Sequence, residues 1–133
     1  MQRKKPMYKK RLNKYNNAKC VSLDGIHFDS KREMERYNVL HLLEKSGHIS
    51  DLRMQVKYEL VPSIYETSVV KLKTKEKTIT KCIQKAIYYV ADFVYVKDGK
   101  TIIEDVKGFK TSDYKLKKKM MRYFYKINIT EIN

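Results

Sequence analysis

The chain has 133 residues, 42% of them hydrophobic, with 11 Tyr and 4 Phe. That suffices for one domain with its own core and is too apolar for a wholly disordered chain. No apolar run approaches the roughly 18 residues of a membrane span, and no apolar stretch follows the basic start at Met1 to Lys5, so no secretory signal is expected. Two cysteines, Cys20 and Cys82, make no disulfide framework and suit a reducing, cytoplasmic setting.

Thirty Lys+Arg against fifteen Asp+Glu give a formal net charge of +15. Such a chain attracts polyanions, and nucleic acid is the first partner class to expect. An anionic membrane would require an apolar amphipathic segment, and none stands out. Lys outnumbers Arg 24 to 6, which favours contact with phosphates over bidentate reading of bases. Ribosomal proteins share this composition, so charge alone does not fix a function.

The basic residues are clustered. Residues 1–19 hold eight Lys/Arg and no acid, residues 71–85 hold six Lys and one Glu, and residues 107–126 hold eight Lys/Arg and one Asp. Between the first two clusters, residues 20–70 are nearly balanced. Residues 1–18, polar and without periodicity, are expected to be a flexible basic tail ahead of a single domain over 19–133. Tyr8 and Tyr15 in that tail are candidates for stacking on unpaired bases.

In chain order, Val21, Leu23, Ile26 and Phe28 flank Asp24-Gly25 as in a short hairpin. A helix follows, with Ser30 as N-cap, Glu33 in a capping box and Gly47 as the stop. Its apolar face is Met34, Tyr37, Val39, Leu40, Leu42 and Leu43. Leu52 to Val61 reads as a strand ended by Pro62. Residues 63–86 fit either an exposed strand, with Lys71, Lys73, Lys75 and Lys77 alternating, or a long loop. Ile87 to Val96 and Thr101 to Lys107 are strands joined at Asp98-Gly99. A helix over 112–125 is capped by Thr111 or Ser112, and Ile127 to Ile132 closes as a strand. The order predicts an α/β class protein, a mixed sheet flanked by helices.

The hairpin around Asp98-Gly99 carries the chemistry. A two-residue turn sets Lys97 against Lys100, and counting outward sets Val94 against Ile103 and Asp92 against Asp105. Val90, Asp92, Val94, Ile103, Asp105 and Lys107 then share one face. Two carboxylates directly opposite, with Cβ atoms about 5 Å apart, repel each other. A divalent cation removes that penalty, and hard oxygen ligands suit Mg2+ or Mn2+. With Lys107 beside them, these are the parts of metal-assisted phosphodiester hydrolysis. The plainer alternative is a solvated acid pair with Lys107 as its ion-pair partner. Glu33 is a third candidate acid because it falls within the apolar face of its helix, although a capping role alone explains it. Glu104 competes with Asp105, but period-two alternation puts it on the face opposite Lys107.

Asp92 followed by Asp105-Val106-Lys107 resembles the PD-(D/E)XK nuclease signature. The helix start Phe28-Asp29-Ser30-Lys31-Arg32-Glu33 and Gly108 add to the match. The arrangement is similar to phage Holliday-junction-resolving endonucleases of the endonuclease I type, and to a small phage and prophage family assigned to the same superfamily. It covers roughly residues 20–132. The resemblance implies a restriction-endonuclease-like core and a metal-dependent endodeoxyribonuclease acting on branched recombination intermediates. It implies that Asp92, Asp105 and the Val106 carbonyl bind Mg2+ (or Mn2+), that Glu33 supports a metal or its water, and that Lys107 acts at the scissile phosphate. Symmetric cutting of a junction would call for a homodimer. The sequence departs from the pattern with Ala91 in place of Pro before the first Asp, Asp105 in place of Glu, and a long 63–86 connection. A restriction-like or nicking nuclease on ordinary duplex, or a non-catalytic nucleic-acid-binding protein, are the alternatives.

Along the second helix, Lys115, Lys118, Lys119, Arg122 and Lys126 form a basic stripe, and Lys110, Lys115, Lys118, Lys119 and Arg122 are the candidate DNA contacts. Tyr114, Met120, Met121, Phe124 and Ile127 are expected to face inward. No His or Cys spacing suggests zinc, and there is no Gly-rich phosphate loop.

Overall fold

The computed structural model describes residues 19–133. The tail expected over 1–18, with Tyr8 and Tyr15, lies outside the described residues. The chain divides into two compact units, residues up to Asn38 and Val39–Asn133, with the boundary inside a continuous helix.

In the first unit, β1 (Cys20–Val21) pairs antiparallel with β2 (His27–Phe28). The turn is longer than the expected two residues. Ser22 to Ile26 form the loop, closed by the Ser22 N–H donating to the Ile26 carbonyl at 2.9 Å. The Ser22 hydroxyl and the Tyr37 hydroxyl both donate to the Asp24 carboxylate, so this acid organises the loop. Leu23, expected on a strand, is instead exposed in it.

Helix α1 (Lys31–Lys45) starts as its capping residues dictate. The Ser30 hydroxyl accepts from the Glu33 N–H at 3.2 Å and donates to the Glu33 carboxylate at 3.0 Å. It ends at Gly47, whose φ of +78° favours glycine. There the His48 N–H reaches the Leu43 carbonyl and the Gly47 N–H the Glu44 carbonyl, a Schellman pair. The buried stripe is narrower than the periodicity suggests: Tyr37 and Leu40 are buried, whereas Val39 and Leu42 are exposed.

The second unit is built on a four-stranded mixed sheet with strand order β3-β6-β7-β8. β3 (Ser50–Val61) pairs antiparallel with β6 (Ile87–Lys97), and β6 with β7 (Lys100–Val106). Helix α2 (Ser112–Tyr125) then leads to β8 (Thr130–Ile132), parallel to β7. Strand β8 is shorter than expected, but Ile129 just before it is buried. The observed class is mixed α and β, as expected.

Residues 63–86, ambiguous in the sequence, form a hairpin of their own. β4 (Ile64–Lys71) and β5 (Glu76–Gln84) pair antiparallel as a separate two-stranded sheet. Every residue of both strands is exposed.

The core of the second unit is Leu60, Tyr89, Ala91, Val94, Ile103, Tyr114, Met121 and Ile129, with Met120 and Ile127 packed against it. Thr111 caps α2 by accepting from the Tyr114 N–H at 3.1 Å, and Lys126 ends it in the left-handed region. Phe124, expected inside, is 54% exposed. Its neighbour Tyr125 takes the inward contact instead, donating to the Glu59 carbonyl and stacking edge-on against Tyr58. Among the described residues no helix is long and apolar enough to cross a membrane.

Candidate active site

The β6–β7 turn sets the geometry of the site. Asp98 and Gly99 both have positive φ, +50° and +72°, as a type I′ turn requires. The register then runs Lys97↔Lys100, Val96↔Thr101, Tyr95↔Ile102, Val94↔Ile103, Phe93↔Glu104, as counting from the turn predicts. The ladder stops there, one step short of Asp92 and Asp105. Beyond it a side chain replaces the backbone bond: Asp92 Oδ2 accepts from the Val106 N–H at 2.8 Å.

The other flank of Asp92 is also irregular. In the β3–β6 register Met54 pairs with Phe93 and Val56 with Ala91, which sets Gln55 opposite Asp92. Gln55 has a φ of +51°, and its Nε2 donates to Asp92 Oδ1 at 3.3 Å. Here strict alternation fails. Tyr89 and Ala91 join Val94 and Ile103 in one buried cluster, and Val90, expected with Asp92 and Val94, is 37% exposed. The left-handed Gln55 and the end of the β7 ladder let the strand change its facing at Asp92.

Asp105 is fully buried, at 0% exposure. Its Oδ2 accepts from the Tyr89 hydroxyl at 2.8 Å. Its Oδ1 has no hydrogen bond of good geometry; the close group there is the Lys107 ammonium, 2.9 Å away. Lys107 also lies over the Tyr114 ring, 5.1 Å from its centroid. Burial, then the Asp105 charge and hydrogen bond, raise the Tyr89 phenol above its ordinary value, so it stays a proton donor. Tyr114 is raised by burial first, then by the charges of Asp105 and Glu131. Asp92 contributes to the shift of both phenols, which places the two carboxylates in one electrostatic neighbourhood.

Glu104, the competing acid, is 2% exposed and accepts from the Tyr95 hydroxyl at 2.6 Å. It is a buried acid held by the Tyr95 hydroxyl. Glu33 sits on the first turn of α1, engaged with Ser30.

Sequence reasoning missed Glu131. The parallel β7–β8 register sets it against Asp105. It gathers Tyr114, whose hydroxyl donates at 3.1 Å, Lys118 at 2.5 Å, and Lys110. These two ammonium groups, Lys110 first, hold the Glu131 carboxyl down at about 2. The candidate DNA contacts therefore divide. Lys110 and Lys118 neutralise Glu131, and Arg122 bonds the Asn128 side chain at 2.9 Å. Lys115 and Lys119 are exposed on α2. The signal for Glu131 was its standing as the one acid in the last strand, but only the fold shows what it meets. Among the described residues no group of three or more His, Cys, Asp or Glu is placed to hold a metal.

Residues 12–132 match the family described as "Protein of unknown function (DUF1064)", and the chain belongs to that family. No curated protein and no solved structure matches it.

Proposed function

We propose that the chain is a metal-dependent endodeoxyribonuclease on a PD-(D/E)XK-like core, with Asp92, Asp105 and Lys107 as its working residues. The observation that carries this reading is Asp105, a fully buried carboxylate whose Oδ1 meets the Lys107 ammonium, with a second carboxylate, Asp92, on the adjoining strand just past the end of the β6–β7 ladder. The element order α1, β3, β6, β7, α2, β8 with a mixed sheet supports it as well.

The donor set fits Mg2+ (or Mn2+). Asp92, Asp105 and the Val106 carbonyl are hard oxygen ligands, and Mg2+ is held by one or two carboxylates, with water and substrate phosphate in its other positions. When bound, the metal would supply Lewis-acid polarisation of a phosphoryl oxygen and lower the pKa of a water. The chain's own residues supply orientation. Tyr89 fixes the Asp105 carboxylate through its hydroxyl, and the Val106 N–H fixes Asp92. Lys107, a third exposed along its side chain, can turn its ammonium toward a phosphate oxygen and stabilise the charge that develops there. Glu33 enters from the resemblance alone. Preference for branched DNA, and the homodimer that symmetric cutting needs, are parts of the proposal that rest on analogy.

A second reading has an observation in its favour. Asp92 is already engaged by the Val106 N–H and Gln55, and Asp105 by Tyr89 and Lys107. Internal partners of this kind also suit a non-catalytic nucleic-acid-binding protein. The test is cleavage at low salt of four-way-junction and linear duplex DNA, with Mg2+ and then with EDTA. Metal-dependent cutting of the junction alone supports a resolving enzyme. Cutting of both supports a restriction-like or nicking nuclease. Tight binding without cutting under Mg2+ or Mn2+ refutes the nuclease.

A further inference from the structure

The β4–β5 hairpin has no part in the site above and no other strand pairs with it. At its base the Pro62 carbonyl accepts from Gln84 Nε2 at 3.3 Å and the Ser63 hydroxyl from the Ala86 N–H at 3.0 Å. Beyond that, β4 and β5 pair only with each other among the described strands. They turn at Leu72 to Lys75, where the Leu72 N–H donates to the Lys75 carbonyl at 2.8 Å. A lone two-stranded hairpin is marginally stable in water.

Its charge is one-sided. Residues 63–86 carry six Lys (71, 73, 75, 77, 81 and 85) against Glu66 and Glu76. Four of the six lie at or beside the tip. Lys71 makes a long, exposed contact with Glu76 at 4.0 Å. Among the described residues no other ion pair involves the lysines of this hairpin. The register gives the two faces different chemistry. Tyr65, Thr67 and Val69 stand with Cys82, Thr80 and Thr78 on one side, the Thr67 and Thr80 hydroxyls 3.3 Å apart. Val70 stands with Lys77, and Glu66 with Lys81, on the other.

We infer that this hairpin is a DNA-binding arm that inserts into or straddles a groove of B-form duplex, with its lysines on the phosphates. Three properties select that occupant. Apart from Lys71, which touches Glu76, the lysines of the arm make no ion pair among the described residues, so most of their charge is available to a polyanion. A two-stranded ribbon has the cross-section of the major groove, about 12 Å wide. Lys71 at the end of β4, Lys73 and Lys75 in the turn and Lys77 and Lys81 along β5 can reach phosphates on either side of such a groove. The deep, narrow major groove of an RNA duplex does not admit the ribbon. The competing explanation is that lysines merely guard exposed strand edges against pairing with other chains. It requires no change in DNA affinity when they are removed.

The inference rests on nucleic acid being the partner, not on cleavage. The test is binding of a fluorescent linear duplex to the full chain in EDTA, over a range of salt. Wild type is compared with the triple variant Lys73→Gln, Lys75→Gln, Lys77→Gln and with the same three positions changed to Arg. Each lost phosphate contact flattens the slope of log K against log salt by about 0.9. The Gln variant should therefore lose up to about 2.7 of slope and bind between about tenfold and a few hundredfold more weakly at 0.1 M salt. The Arg variant should bind like wild type, and an RNA duplex should respond less to the Gln changes. Unchanged slope and affinity in a monomeric Gln variant, self-association of that variant with unchanged affinity, or wild type that binds no duplex would each overturn the arm. Arm-dependent binding without Mg2+ cleavage would keep the arm and remove the nuclease. Cleavage with arm-independent binding would do the reverse.

Discussion

Asp105→Asn separates a metal ligand from a structural acid. The substitution keeps the shape and an oxygen for the Tyr89 hydroxyl, which donates at 2.8 Å in the wild type. It removes the charge that faces Lys107 at 2.9 Å. A hydrogen bond to a charged group is worth about 1.5–3 kcal/mol. Lys107 is 32% exposed along its side chain and can return to water, so the expected loss is about 1–2 kcal/mol. For a chain of this length that lowers Tm by roughly 3–10 °C. The informative quantity is the response to metal. At ten times its Kd, Mg2+ stabilises the wild type by about 1.4 kcal/mol through linkage. Thermal unfolding followed by circular dichroism, in EDTA and then in Mg2+, should show a rise of several degrees in wild type and none in the variant. Cleavage should be lost as well, while duplex binding in EDTA stays equal or tightens because a negative charge is gone. An equal Mg2+ increment in both proteins would refute Asp105 as a ligand, whatever the activity.

Glu131→Gln should change acid stability and charge together. The Glu131 carboxyl lies at about 2 in the folded chain against 4.5 ordinarily, so its stabilising contribution is full above pH 4.5 and is lost as pH falls toward 2. Acid titration of the variant should show a shallower fall over that window, and its duplex affinity should rise as Lys110 and Lys118 are released; superimposable acid curves would contradict the ion-pair cluster. Gly99→Ala places a Cβ at a φ of +72°, which costs about 1 kcal/mol. A Tm drop of about 3–5 °C is expected, and no drop would mean that the turn is not type I′.

What the sequence made legible follows from which interactions are local. Asp98-Gly99 demands one turn type, and the turn passes its register along two strands. That is why the pairing from Lys97↔Lys100 to Phe93↔Glu104 follows from counting. Ser30 with Glu33, and Gly47, are likewise local and mark both ends of α1. Alternation misled at Asp92, because the left-handed residue that disturbs it, Gln55, lies 37 positions away on another strand. The Tyr89 bond to Asp105 therefore went unseen. Glu131 reaches the site through a parallel pairing across a helical crossover, and no local rule sets the register of such a pair. Residues 63–86 stayed ambiguous for a different reason. Both faces of the hairpin meet solvent, so no buried face writes a period of two into the sequence.

The same contrast sorts the chain's charge. Lys107, Lys110 and Lys118 each lie against a carboxylate of the candidate site, Asp105 or Glu131. Around the two strand ends the positive charge is thus largely balanced, and the site keeps its acids despite a net charge of +15 on the chain. Lysines that make no such ion pair among the described residues include Lys73, Lys75, Lys77 and Lys81 of the β4–β5 hairpin and Lys115 and Lys119 on α2. On the proposed reading this division suits a phosphodiester hydrolase: uncompensated cations would hold the backbone at a distance from the chemistry, and the carboxylates would be left to a divalent cation. If binding and cleavage prove separable, with arm variants changing affinity and Asp105→Asn changing only the metal response, the division is functional. If every lysine variant weakens binding equally, the surplus charge acts as a diffuse field, and the hairpin has no special place in recognition.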